Sequence, residues 1–181
     1  MTLLSAWRHL VGYFDGADRR LRLANAVAFV VTSNQPFYPI YVWWIAGRDT
    51  AIVSLVTWFS TPFFAAVPGV GRRSPANGKI LLLVAGIGNT AICAFALGPT
   101  SGVELFYVPC LILAGALFEG RALRISLAVS LTVVAIAMML AHRATPLVAP
   151  TDAATLVRLH AASVVGLVAV IVYRAWRDRR T

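Results

Sequence analysis

Residues 80–97, ILLLVAGIGNTAICAFAL, run for eighteen positions without a charged side chain. A helix of that length rises about 27 Å, close to the ~30 Å hydrocarbon thickness of a bilayer, so the stretch reads as a membrane-spanning helix. Five other apolar segments share its character, at roughly residues 23–46, 51–70, 103–118, 123–141 and 156–173. Each approaches the ~20 residues that a crossing requires, and 103–118 is the shortest. The whole chain fits this pattern, being 59% hydrophobic and only 13% charged. Its mean hydropathy of +0.77 exceeds that of ordinary soluble domains. The expected fold class is therefore all-α, a polytopic membrane helix bundle of about six transmembrane helices. It occupies residues 23–173, between a cytoplasmic amphipathic or interfacial segment (1–22) and a basic cytoplasmic tail (174–181).

Most of the connections between these segments are short and turn-like: Gly47-Arg48-Asp49, Gly98-Pro99-Thr100-Ser101-Gly102 and Glu119-Gly120-Arg121. Only the connection around Pro146–Asp152 is long. Before the first span, Leu3, Leu4, Trp7, Leu10, Val11 and Phe14 recur at helical spacing, the signature of a helix lying along the membrane surface. Charges run through the first 22 residues, so no cleavable signal peptide is expected and the first membrane helix serves as the insertion signal.

Orientation follows from the cations, because basic loops resist translocation. Arg8, Arg19, Arg20, Arg22, Arg72, Arg73, Lys79, Arg121, Arg124, Arg174, Arg177, Arg179 and Arg180 fall on one side of a six-span chain, thirteen in all. The other side holds Arg48, Arg143 and Arg158, three in all. Both termini are therefore expected in the cytoplasm. An odd number of spans would spoil the asymmetry. The formal charge of +9 does not imply nucleic acid, since the cations sit in short loops and at the two ends rather than on one soluble face. Cys93 and Cys110 lie within apolar segments and suggest neither a disulfide framework nor a metal site.

Few residues in this pattern invite chemistry. Asn34-Gln35-Pro36-Phe37-Tyr38-Pro39 interrupts the first span; the two prolines remove backbone donors and crowd the carbonyls of Thr32 and Gln35, so a kink is expected at membrane depth. Asn34 and Gln35 are candidate ligand-binding residues, although such kinks also serve packing alone. Asn25 and Asn89 read as interhelical hydrogen-bonding residues, worth about 0.6–2 kcal/mol each. Glu104, His142, Arg143, Asp152, Arg158 and His160 gather at the ends of the last three spans. They form either a solvated rim or a site for a small polar ligand, with Glu104 and His160 the candidates. His142 and His160 also have the chemistry for haem or chlorophyll ligation.

No phosphate-cradling loop, zinc-binding histidine pair or serine elbow is present, so no enzymatic activity, no metal and no cofactor of the chain's own is expected. No carboxylate stands in mid-span, which argues against a proton-coupled transporter.

Arg20-Leu21-Arg22-Leu23-Ala24-Asn25-Ala26, Pro36-Phe37-Tyr38, and the stretch from Leu97 through Pro99, Gly102 and Glu104 to Tyr107 carry a resemblance. Over about Arg19–Arg180 the chain resembles the six-helix membrane input domain found ahead of bacterial class III adenylate cyclases, diguanylate cyclases and histidine kinases. The resemblance implies a receptor-like or regulatory anchor, often a homodimer, whose last helix continues into the cytoplasm and drives a signalling effector. Residues 173–180, YRAWRDRR, have the aromatic and basic character of such an exit. No cyclase, GGDEF or kinase domain follows, so the output is expected in a separate partner or in a longer protein. The leading expectation is thus a non-catalytic sensory or regulatory membrane domain. An accessory subunit of a photosynthetic or respiratory complex is the alternative, and a small transporter built on the broken first span is the third. The partners expected are membrane lipids, a second copy of the chain, and an effector or larger complex, with no nucleic acid.

Overall fold

The structure, a computed structural model, describes residues 12–13 and 18–177. Most of the expected interfacial helix over residues 3–14, and the end of the basic tail, lie outside the described residues. The described residues are helical and contain no strand. In order they form α1 (Arg19–Asn34), a 3₁₀ turn (Gln35–Phe37), α2 (Tyr38–Ser54), a second 3₁₀ segment (Leu55–Ser60) and α3 (Thr61–Arg73). Then come α4 (Pro75–Leu97), 3₁₀ turns at Pro99–Ser101 and Val103–Phe106, α5 (Tyr107–Leu117), α6 (Gly120–Ala141), α7 (Pro150–Thr155) and α8 (Val157–Arg177).

Among the described residues, four helical stretches are long and apolar enough to cross a membrane: Arg19–Arg73, Pro75–Leu97, Gly120–Ala141 and Val157–Arg177. Val103–Leu117 is a shorter apolar one. The first, at 55 residues, would extend about 83 Å if straight, more than twice the thickness of a bilayer core. It doubles back instead. Gly47 adopts φ +84°, a left-handed conformation that glycine enters without a Cβ penalty, and it reverses the chain where the sequence places its first turn. The shortest span is drawn out by its 3₁₀ start, since 3₁₀ backbone rises ~2 Å per residue against ~1.5 Å in an α-helix.

The ends of the helices are sorted by charge. Asp18 caps α1 by accepting from the Leu21 N–H (3.2 Å) and pairs with Lys79 at the start of α4 (2.9 Å). Arg20 pairs with Glu119 before α6, and Arg19 donates to the Ala175 carbonyl in the last turn of α8 (3.2 Å). Arg72, at the end of α3, donates to the Gly12 and Tyr13 carbonyls (both 3.0 Å) and stacks on the Tyr13 ring. Burial pushes the Asp18 carboxyl up, but the Lys79 ammonium and the N–H groups of Leu21 and Arg20 outweigh it, leaving the pKa below the usual carboxylate value. The stabilisation from this pair is therefore complete above the ordinary carboxylate pKa and is lost as pH falls through the lowered one.

The main core lies at this end and towards the middle, where Leu23, Val27, Phe64, Leu82, Leu113 and Ile171 pack together. At the opposite end Val42, Leu97, Val148 and Leu156 close a second cluster. Near the charged end α3 and α4 touch backbone to backbone, and the Leu21 side chain of α1 packs onto Gly71. A Cβ on Gly78 would stand 2.6 Å from the Cα of Gly71, and one on Gly71 would stand 2.5 Å from Leu21 Cδ1. Small residues permit this approach, as in other membrane helix pairs.

Gly78→Val is expected to lower stability by about 1–3 kcal/mol through overpacking. Gly115→Ala, whose Cβ would meet nothing within 4 Å, is expected to be neutral or mildly stabilising. Thermal unfolding in detergent checks the pair.

Candidate functional site

The interruption in the first helical run is the most polar place inside the bundle. Pro36 and Pro39 cannot donate backbone hydrogen bonds, and between α1 and α2 the chain tightens into the 3₁₀ turn Gln35–Phe37. Gln35 is buried there, and its carboxamide ties the break to its neighbours. Nε2 donates to Ser60 Oγ (2.7 Å) and the Thr57 carbonyl (3.3 Å) and lies 3.4 Å from Asn89 Oδ1. Oε1 accepts from Thr61 Oγ1 (2.8 Å). Ser60 Oγ also lies 2.7 Å from Asn89 Oδ1 and 2.8 Å from the Thr57 carbonyl, and its single proton can serve only one of them. This network joins the α1 break, the segment before α3, and the middle of α4.

A second polar contact stands close by. His160 of α8 is fully buried. Its Nδ1 lies 2.7 Å from the Ser101 carbonyl, which can only accept, so Nδ1 carries the proton and Nε2 accepts from the Tyr38 hydroxyl (2.6 Å). Phe106 meets the imidazole edge to face, with centroids 5.9 Å apart. Both ring nitrogens are thus engaged within the protein, and axial ligation of a haem or pigment would require one of these bonds to be given up.

Between the two contacts lies a cavity of about 380 Å³. Its walls are mainly aliphatic and come from α1, α4, α5 and α8. Gln35 and Asn89 line it, as do Tyr38 and Phe106 from the His160 contact. Asn34 lines it too and is exposed, and its side chain makes no hydrogen bond among the described residues. Among the described residues no charged side chain faces the cavity.

Of the four residues singled out from the sequence, Asn34 and Gln35 line this cavity, and His160 stands behind two of its lining rings. Glu104 is elsewhere. Its Oε1 lies 3.4 Å from Nδ1 of the exposed His142, which in turn is 2.9 Å from the Met138 carbonyl. Arg143, Asp152 and Arg158 are exposed. The gathering of six polar residues expected at the span ends therefore separates into a buried imidazole, a Glu104–His142 pair and exposed groups. Sequence reading passed over Thr57, Ser60 and Thr61 as partners of Gln35. Their three- and four-residue spacing on one face of an apolar segment was the available signal.

The family model of MASE7 matches residues 11–181. No curated protein and no solved structure matches the chain.

Tyr38→Phe leaves His160 Nε2 buried without a donor and is expected to cost about 1–3 kcal/mol. Adding His160→Leu removes that acceptor but takes the donor from the buried Ser101 carbonyl, so the double variant is expected to lose about as much as His160→Leu alone. Unfolding of the single and double variants in detergent measures the coupling; strictly additive losses would contradict it.

Proposed function

Because the chain belongs to the MASE7 family of membrane-associated sensor domains, we propose that it is a sensory input module of the bacterial cytoplasmic membrane. It crosses the membrane six times, keeps both termini in the cytoplasm, and passes a signal to a cytoplasmic effector without catalysing a reaction itself.

The observation that carries this reading is the double attachment of α8. Ser163, Gly166, Leu167 and Val170 of this helix line the cavity. A turn further on, its Ala175 carbonyl accepts from Arg19, next to the Asp18–Lys79 and Arg20–Glu119 pairs. One rod therefore touches the interior site and leaves the bundle at its charged end, where an effector would be joined. A change in cavity occupancy that favours one packing of α8 would be felt at that exit, because a ligand shifts an equilibrium by its differential affinity for the two states.

Support for six crossings comes from the reversal at Gly47, which divides the first helical run in two, and from the short span Val103–Leu117. Support for the orientation comes from the clustering of Arg19, Arg20, Arg72 and Lys79 with the end of α8, the side that the positive-inside rule assigns to the cytoplasm. A transporter would draw on the same broken helix and cavity, but the lining offers no charged group to hold a coupling ion.

Reporter fusions after Gly71 and after Pro99 are expected to give cytoplasmic and periplasmic signals, respectively; the reverse would overturn the orientation. A cyclase domain joined after Arg180 is expected to be membrane-bound and to change output by about fivefold or more with membrane composition or an added ligand. Constant output under every condition would count against the sensory reading.

A further inference from the structure

The cavity has a chemistry that narrows what can occupy it. At the ~30 Å³ that a water-sized group takes up in a liquid, 380 Å³ holds about a dozen non-hydrogen atoms. Val27, Val31, Leu82, Leu83, Leu113 and Leu167 make most of the wall apolar. A carboxylate, phosphate or ammonium would lose its hydration on entering, with no charged side chain to compensate, at a cost of several kcal/mol. Ionic ligands are thereby disfavoured.

A plain hydrocarbon also fits poorly, because it would leave a carboxamide without a partner. Gln35 is saturated by Ser60, Thr57 and Thr61. Asn34, its neighbour in sequence, lines the same cavity, and its carboxamide has no hydrogen bond among the described residues. Asn34 is exposed at the cavity wall, and at membrane depth an exposed carboxamide meets hydrocarbon instead of water, so leaving it unpaired costs about 1–3 kcal/mol. A ligand oxygen accepting from Asn34 Nδ2, or a hydroxyl donating to Oδ1, removes that cost. Space is preserved on the α8 side: a Cβ on Gly166 would meet nothing within 4 Å.

We propose that the cavity binds a neutral, lipid-soluble molecule of about a dozen non-hydrogen atoms carrying one ketone or alcohol oxygen, held by a hydrogen bond to Asn34. The proposal names the class of stimulus for the sensory reading above, and its meaning as a stimulus rests on that reading. Binding itself does not.

The test uses the full chain in lipid nanodiscs with 2-decanone as the probe. Tritiated 2-decanone is expected to bind saturably at one per chain, above its partition into empty nanodiscs. 2-Decanol is expected to compete comparably, and decane and decanoate at least about tenfold less well, the equivalent of one hydrogen bond of ~1.4 kcal/mol. Asn34→Leu should weaken binding by about tenfold and return the infrared carbonyl stretch of the bound ketone towards its position in hydrocarbon. Gly166→Leu, whose four added carbons take about a third of the cavity, should weaken binding by at least about tenfold, and Gly115→Ala should leave it unchanged.

Uptake no greater than that of empty nanodiscs, equal competition by decane or decanoate, or unchanged affinity and infrared frequency in Asn34→Leu would each overturn the proposal. Because binding is read without any output, the two readings fail separately. Saturable binding that leaves the cyclase fusion unmoved supports the site and counts against its role as a sensor. A fusion that responds to other stimuli while 2-decanone fails to bind overturns the site alone.

Discussion

Hydrocarbon offers a peptide chain no hydrogen-bond partner, so any break in a membrane helix has to be completed from within the protein. Pro36 and Pro39 impose such a break; within the 3₁₀ turn the Gln35 carbonyl accepts from the Tyr38 N–H, and the Gln35 carboxamide pins the turn to Thr57, Ser60 and Thr61. The rest of the arrangement depends on this contact. It holds the first helical run against the return segment that follows the Gly47 reversal. It also fixes Asn89 of α4 beside both. The cavity lies between the first run, α4, α5 and α8.

Helix α8 joins the interior to the charged end. Midway along it, Ser163, Gly166, Leu167 and Val170 face the cavity; nearer its start, His160 is tied to Tyr38 beyond the break and to Ser101 before α5. Its last turn is tied to Arg19 at the start of α1. The two ties differ in kind. Contacts in the apolar interior are protected from salt and water, whereas an exposed contact such as Arg19 with Ala175 is modest and screened. A helix anchored firmly inside and lightly at its exit is suited to a small displacement that is felt at the exit.

Much of the helical pattern was legible in the sequence, because span length, turn residues and the distribution of arginine follow from local chemistry. Gly47 marks the first reversal, within the turn Gly47-Arg48-Asp49, and Gly98 ends α4 at the next glycine turn, whereas α4 begins at Pro75, capped by Ser74, five residues ahead of the apolar stretch. The break at Asn34–Pro39 was readable for the same reason. Its partners were not. Gln35 meets residues 22 to 54 positions away, and Tyr38 meets His160 across 122 positions. Those pairings are set by how the helices rotate and cross, which neither hydropathy nor charge records. Glu104 and His160 looked alike as polar residues near span ends. Yet the fold turns one towards exposed His142 and buries the other completely.

The most direct measurement of the central claim, that the broken helix is completed inside the protein, is hydrogen exchange along residues 31–41 of the full chain in lipid nanodiscs. Amides of the Gln35–Phe37 turn and the start of α2 are expected to exchange as slowly as those of Leu82–Thr90 in α4, and to speed up in Gln35→Leu. Exchange in the unaltered chain as fast as that of the connection around Leu147 would contradict it, by showing that the break opens to water and is not held by Gln35.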